Sequence, residues 1–200
     1  MIHIITGLPG AGKTIAANII KQELIDSLLI NTDELRNFLY PKSEVGDFDP
    51  EQMNIVYNLL PQFALCIKKI QPYKHIVFDG TFRYKSQRLS IFDIMKNTSQ
   101  PVSVIWIKAD VNIICERVIL RFNSGTHLLD YKSFKKVLYS YEPPEEAWII
   151  ENTGSIEDLT LKIKQYLEKI KIAYTYNKYE SINYVKKLEK KGQTYENNTI

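Results

Sequence analysis

The chain predicts a doubly wound α/β fold, with a parallel sheet of about five strands layered between helices, and three observations carry that prediction. Apolar runs of strand length recur at Ile2–Thr6, Leu28–Thr32, His75–Asp79, Val102–Lys108 and Ala147–Asn152. The runs are continuous rather than alternating, as expected of strands buried on both faces. Segments of helical spacing separate them, and the order βαβα calls for crossover connections in a parallel sheet. At 200 residues, 44% hydrophobic and 24% charged, the sequence fits a single globular domain with a sizeable core.

The first run leads into Gly7-Leu8-Pro9-Gly10-Ala11-Gly12-Lys13-Thr14, which fits the phosphate-binding pattern G-x-x-x-x-G-K-[ST] between a strand and a helix. Glycines let the backbone curl so that successive N–H groups face a polyphosphate, and the helix dipole adds positive potential. All eight residues are therefore expected to hold ATP, with Lys13 reaching the β- and γ-phosphates and Thr14 serving Mg²⁺. The helix that follows is predicted from about Gly12 to Asp26, with Ile15, Ile19, Ile20 and Leu24 turned inward.

The second run ends in Thr32-Asp33-Glu34-Leu35-Arg36. Asp33 is predicted to cap a helix that must stop by Tyr40, because Pro41 follows. Ligands of open parallel sheets bind beyond the carboxyl ends of the strands, so Asp33 arrives on the same rim as the phosphate loop. A carboxylate there accepts the proton of an attacking hydroxyl, and Arg36, one helical turn on, forks onto an acceptor phosphate. Asp47, Phe48 and Asp49 are candidates for shaping the acceptor pocket. Asp49–Ile70 carries Met53, Val56, Tyr57, Leu60 and Ala64 on a helical period, with a kink or break predicted at Pro61.

The third run ends in Val77-Phe78-Asp79-Gly80-Thr81-Phe82-Arg83. Apolar residues running into an aspartate are the usual form of a second acidic site in such folds, and Asp79 serves either the metal shell or the acceptor. Thr81, Arg83 and Arg88 follow on the same rim and are candidates for gripping a second anionic group. Arg88, well along a helix predicted at Lys85–Lys96, reads most simply as a solvated surface charge.

After the fourth run, Asp110 is predicted to cap a helix containing Ile113, Ile114 and Arg117. Arg117 and Arg121 lie four residues apart on one helix face, and an Asn/Ser/Gly loop over Phe122–Asp130 follows. The segment from about 117 to 130 is expected to be a lid that brings arginine charge onto phosphoryl oxygens and excludes water. His127 is assigned no catalytic role. A helix is predicted at Tyr131–Ser140, and Ser155 with Asp158 forms a capping-box variant leading into Ile156–Ile172.

Residues 1–172 are thus expected to form the functional domain, followed by a Lys/Tyr-rich extension at 173–200 with a disordered end. Between Lys162 and Lys191 nine lysines face three glutamates, interleaved with tyrosines, which suits either a polyanion or a solvated surface. The formal net charge of +3 does not by itself declare a nucleic-acid binder. Apolar runs are too short to span a bilayer and no leader precedes the first strand, so a cytoplasmic protein without membrane partners is expected. Cys66 and Cys115 lack metal or redox spacing and are expected to be packed thiols.

Taken together, GLPGAGKT, TDELR, VFDGTFR with Arg88, ADV…ERVILR and YEPPEEA resemble the stand-alone P-loop kinases related to the kinase domain of phage polynucleotide kinase, over roughly residues 1–170. Zeta-toxin kinases, gluconate kinases and kinases of aminoacylated transfer RNA are relatives of similar layout. The resemblance implies that Asp33 is the general base for a 5′-hydroxyl and that Arg36 binds a 3′-phosphate. It further implies that Asp79 belongs to the acceptor site or metal shell, and that Arg117 or Arg121 is the lid arginine on ATP. The leading expectation is a kinase using ATP and Mg²⁺, with a polynucleotide 5′-hydroxyl as acceptor. A small-molecule or nucleotide-sugar kinase and an ATP-controlled regulatory switch are the alternatives.

Overall fold

A computed structural model describes residues 1–41, 50–98, 100–125, 129–152 and 154–171. The chain divides into two compact units, Met1–Ile163 and Lys164–Ile200. Of the second, residues 164–171 are described and are helical. The predicted extension at 173–200 lies outside the described residues, as do Asp47, Phe48, Asp49 and His127.

In the first unit five strands form one sheet, β1 (Ile2–Thr6), β2 (Ser27–Asn31), β3 (His75–Asp79), β4 (Val102–Lys108) and β5 (Trp148–Glu151). Their order is β2-β3-β1-β4-β5 and every pairing is parallel. The helices are α1 (Lys13–Glu23), α2 (Thr32–Leu39), α3 (Pro50–Ile70), α4 (Lys85–Met95), α5 (Val111–Asn123) and α6 (Tyr131–Ser140). A helical stretch over residues 156–163 closes the unit, and the Ser155 hydroxyl accepts from the Asp158 N–H at 3.0 Å as the predicted cap requires. Strand order reverses around β1, which creates a crevice beyond the carboxyl ends of β1, β3 and β4.

Alternation along the strands fixes the layers. Ile2 and Ile4 of β1, with Ile76 and Phe78 of β3, pack in one cluster with Met53, Tyr57, Leu60 and Ala64 of α3 and Ile91 and Met95 of α4. The opposite face is covered by α1, whose Ala16, Ala17 and Ile20 are fully buried. Burial of α3 on both sides of Pro61 explains why that helix runs unbroken from 50 to 70, so that of the predicted kink or break the break does not occur. A proline removes one i→i−4 hydrogen bond, and the apolar packing of the neighbouring turns outweighs that loss. Two other expectations are corrected. α5 extends to Asn123, so the predicted loop does not begin at Phe122. Cys66 is exposed on α3 rather than packed, while Cys115 is half-buried. Among the described residues no helix is long and apolar enough to cross a membrane.

At the amino ends of the strands, away from the crevice, His3 is fully buried with its Nε2 3.1 Å from His75 Nδ1. Burial, with His75 and Lys68 nearby, pushes the His3 imidazole down to about 3. An unfolded chain then binds a proton near pH 6.5 that the folded chain refuses, so stability is full above that pH and falls as pH drops towards 3. The slope is about 1.4 kcal/mol per pH unit, or roughly 2 kcal/mol lost by pH 5. Urea titrations between about pH 7.5 and 5 should show this loss, and His3→Gln should flatten it.

Candidate functional site

The phosphate loop emerges from β1 and turns into α1 at Gly12, whose φ of 100° places it in the left-handed region. A Cβ there would strike the Asn152 side-chain amide, so glycine is required both by conformation and by space. Asn152 is buried just past β5 and donates from Nδ2 to the Ala11 carbonyl at 2.8 Å, bracing the loop from across the sheet. Gly12 gives α1 no side-chain cap, which leaves its first-turn amides and positive dipole end available to an anion.

Lys13 Nζ donates to the Leu8 carbonyl at 3.0 Å, within the loop itself. Burial lowers the pKa of its ammonium, whereas the carboxylates of Asp79 and Asp33 act to raise it. These opposing influences place Lys13 among both acidic residues predicted from the sequence. Asp79 is 1% exposed at the end of β3, and its Oδ2 accepts from Asn31 Nδ2 at 2.6 Å. Its carboxyl is pushed upward by burial, an effect countered by Lys13 and by hydrogen bonds from Thr14 and Asn31. Thr14 and Asp79 therefore form one oxygen-donor pair at the mouth of the loop.

Asp33 differs in its setting. It is exposed in the first turn of α2, and the cap of that helix is Asn31, whose Oδ1 accepts from the Asp33 and Glu34 N–H groups at 2.9 and 3.0 Å. This corrects the predicted cap. The physical reason is the spacing Asn31-x-x-Glu34, a capping-box pattern two residues earlier than the aspartate. As a result the Asp33 carboxylate is not consumed by its own helix. Arg36, one turn on, is half-buried and donates from an Nη to Asn37 Oδ1 at 2.9 Å.

The rim after β3 is held from several directions. Gly80 allows α2 to come close, because a Cβ there would lie 2.8 Å from the Thr32 Cγ2 and 3.1 Å from the Tyr57 hydroxyl. Phe82 is fully buried at φ 41°, a left-handed conformation that costs a non-glycine residue about 1–2 kcal/mol. Hydrogen bonds hold it there: its N–H donates to Tyr57 Oη at 3.1 Å, and its carbonyl accepts from an Arg88 Nη at 2.7 Å. Thr6, the last residue before the phosphate loop, donates to the Thr81 carbonyl at 2.7 Å and meets Tyr141 Oη at 3.0 Å. The Glu142 N–H donates to the Arg83 carbonyl at 2.9 Å. Stretch 141–142 thus acquires a physical role that sequence left open, as a strut tying rim to loop.

Arg88 is 4% exposed, so it is not the solvated charge its helical position suggested. Its guanidinium secures the Phe82 carbonyl. Replacing it with methionine removes the short, charge-assisted bond to that carbonyl and leaves only the Thr6 hydroxyl at 3.5 Å, which should cost about 1–3 kcal/mol in a urea titration. The Arg83 guanidinium lies 4.7 Å from the Tyr84 ring centroid, and its buried Nε makes no hydrogen bond among the described residues.

Beside the phosphate loop, an Arg117 Nη donates to the Gly10 carbonyl at 3.2 Å. Arg121 lines a shallow depression beside the loop with Pro9, Gly10, Val118 and Leu129, and its charge is felt at Lys13. The structure therefore gathers Lys13, Thr14, Asp33 and Asp79 at one crevice, with Arg117 and Arg121 beside the phosphate loop. Thr81 and Arg83 sit on the rim past Asp79. Asn31, Tyr57, Tyr141 and Asn152 were missed by sequence reasoning. A capping-box pattern signalled Asn31, whereas the other three act through contacts far apart in the chain.

Comparison with known proteins follows the same lines. The family model described as an AAA domain matches residues 2–144. A UPF0200 protein of Aeropyrum pernix is 23% identical over 175 residues, covering 82% of this chain and 91% of the relative. The L-seryl-tRNA(Sec) kinase of Methanococcus maripaludis is 27% identical over 127 residues, 60% of this chain and 46% of that protein. The structure of Mycobacterium tuberculosis APS kinase in complex with AMPPNP and APS superposes with a TM-score of 0.64 at 15% identity, over 84% of this chain and 96% of the other. The parallel five-stranded sheet flanked by helices is thus a P-loop kinase-type fold.

Proposed function

Because the chain belongs to the AAA domain family, we propose that it is an ATP-dependent kinase that moves the γ-phosphoryl group to an alcohol acceptor, a polynucleotide 5′-hydroxyl. One observation carries the reading: the charge of an exposed carboxylate, Asp33, acts on Lys13 of the phosphate loop together with that of the buried Asp79. A binding switch needs the loop but has no need of a free carboxylate at the acceptor rim. The spacing of Asp33 and Arg36, and a relative named for a tRNA-linked substrate, support a nucleic-acid acceptor.

In this reading the loop amides and the start of α1 bind the β- and γ-phosphates, and Lys13 neutralises charge on them. Asp33 takes the proton of the acceptor hydroxyl as its oxygen forms a bond to the γ-phosphorus, and the bond to the ADP oxygen breaks. Arg36 and Arg83 position anionic groups of the acceptor, with Thr81 beside them, and Arg88 supports them by holding Phe82 in place. Arg117 and Arg121 approach the transferred group from the donor side. Thr14 and Asp79 would hold Mg²⁺, an ion that favours oxygen ligands. Held there, the ion would supply positive charge that offsets the negative charge of the polyphosphate.

The experiment is transfer of label from γ-labelled ATP to a panel of 5′-hydroxyl DNA, 5′-hydroxyl RNA and small alcohols from a metabolite extract. Label on an oligonucleotide supports the proposal. Label only on a small molecule replaces the acceptor while keeping the chemistry, and hydrolysis without any labelled acceptor supports the switch reading instead.

A further inference from the structure

Helix α6 carries a surface that the proposed reaction has not used. Among the described helices it alone bears lysine or arginine with no aspartate or glutamate; its sequence is YKSFKKVLYS. Phe134 and Val137 face the core. The residues left exposed are Tyr131, Lys132, Lys135, Lys136 and Tyr139, spaced so that they share one side of the helix. Tyr139 is 82% exposed, and the Lys135 ammonium lies 4.6 Å from the Tyr131 ring centroid.

The ends of α6 give this face its meaning. Just before it, Leu129 lines the depression beside Pro9, Gly10 and Arg121. Just after it, Tyr141 meets Thr6 and the Glu142 N–H meets the Arg83 carbonyl on the acceptor rim. Ten residues of helix span about 15 Å, so α6 bridges the donor side and the acceptor rim. The acids that follow are already engaged: Glu142 Oε2 accepts from the Lys85 N–H at 2.5 Å, and Glu145 pairs with Lys85 Nζ at 2.8 Å.

We propose that the exposed face of α6 is a docking track for single-stranded nucleic acid, its lysines on the phosphates and its tyrosines under the bases, feeding an end of the strand to the rim at Arg83. A polyanion matches three lysines without acidic neighbours on the helix, and flanking exposed rings suit bases whose faces are free, which a duplex does not offer. The track deepens the reading of the protein as a polynucleotide kinase and rests on it for its direction, although binding is measurable without transfer.

The test uses the full chain and a fluorescent single-stranded oligothymidylate with a 5′-hydroxyl, followed by anisotropy over a series of salt concentrations. The triple variant Lys132→Gln, Lys135→Gln, Lys136→Gln should weaken binding and reduce the salt slope by about 2, from roughly 0.7 per phosphate contact. Tyr139→Ala should weaken binding roughly 5- to 150-fold with the slope unchanged, as loss of one stacked base requires. All substituted side chains are exposed, so unfolding temperatures should stay at the wild-type value. Wild-type affinity and slope in the triple variant would overturn the track and leave α6 a solvated face. Equal loss on duplex DNA in every variant would also overturn the single-strand assignment. Oligonucleotide binding that depends on α6 without any label transfer would retain the track and reject the kinase reading.

Discussion

Asp33→Asn should slow phosphoryl transfer by about 10²–10⁴-fold while leaving ATP affinity near its wild-type value, the loss expected for a positioned general base. The substitution keeps the shape of the side chain and removes its basicity. Asn31, not Asp33, caps α2, so the helix that presents the site survives the change. Asparagine also caps as well as aspartate, so the change tests basicity rather than helix stability. Single-turnover transfer and equilibrium nucleotide binding, measured on the same variant, check it. A matching fall in ATP affinity would place Asp33 in donor binding instead.

Lys13→Met should reduce transfer by about 10²–10³-fold, the scale for removing one preorganised group that stabilises transition-state charge. Here ATP affinity should fall as well, since the same ammonium faces the ground-state phosphates. A second consequence follows from the surroundings of Asp79. Burial already raises the pKa of this carboxyl and Lys13 holds it down. With Lys13 removed, Asp79 should protonate at higher pH, so the acid limb of the residual activity should move upward in pH. A pH profile of the variant against wild type reads this shift, and an unchanged acid limb would mean that Asp79 is not coupled to Lys13 in the working enzyme.

Strands and most helices were legible because they depend on local pattern. β3, β4 and α6 fall on the predicted residues, and the parallel order follows from buried runs separated by helices. Pro61 does not break α3 because propensity weighs one lost hydrogen bond, whereas the folded chain also weighs the apolar turns on either side. The cap of α2 was legible but misplaced: Asn31 and Asp33 are both good caps, and only the spacing to Glu34 separates them. Asn152 and Tyr141 were not legible. Each acts on a partner more than a hundred residues away, Ala11 and Thr6 respectively, and no local pattern announces such a contact. Arg88 shows the same limit in reverse, because a helix position that reads as surface becomes buried when Phe82 needs a donor.

The central claim is that this crevice transfers phosphate to an acceptor rather than merely consuming ATP. The most direct measurement counts ADP formed against label gained by a 5′-hydroxyl oligonucleotide, with and without that acceptor. The account predicts one label per ADP and slow ADP release until the acceptor is added, both lost together in Asp33→Asn. Rapid ADP release that ignores the acceptor, with no label transferred, would contradict it.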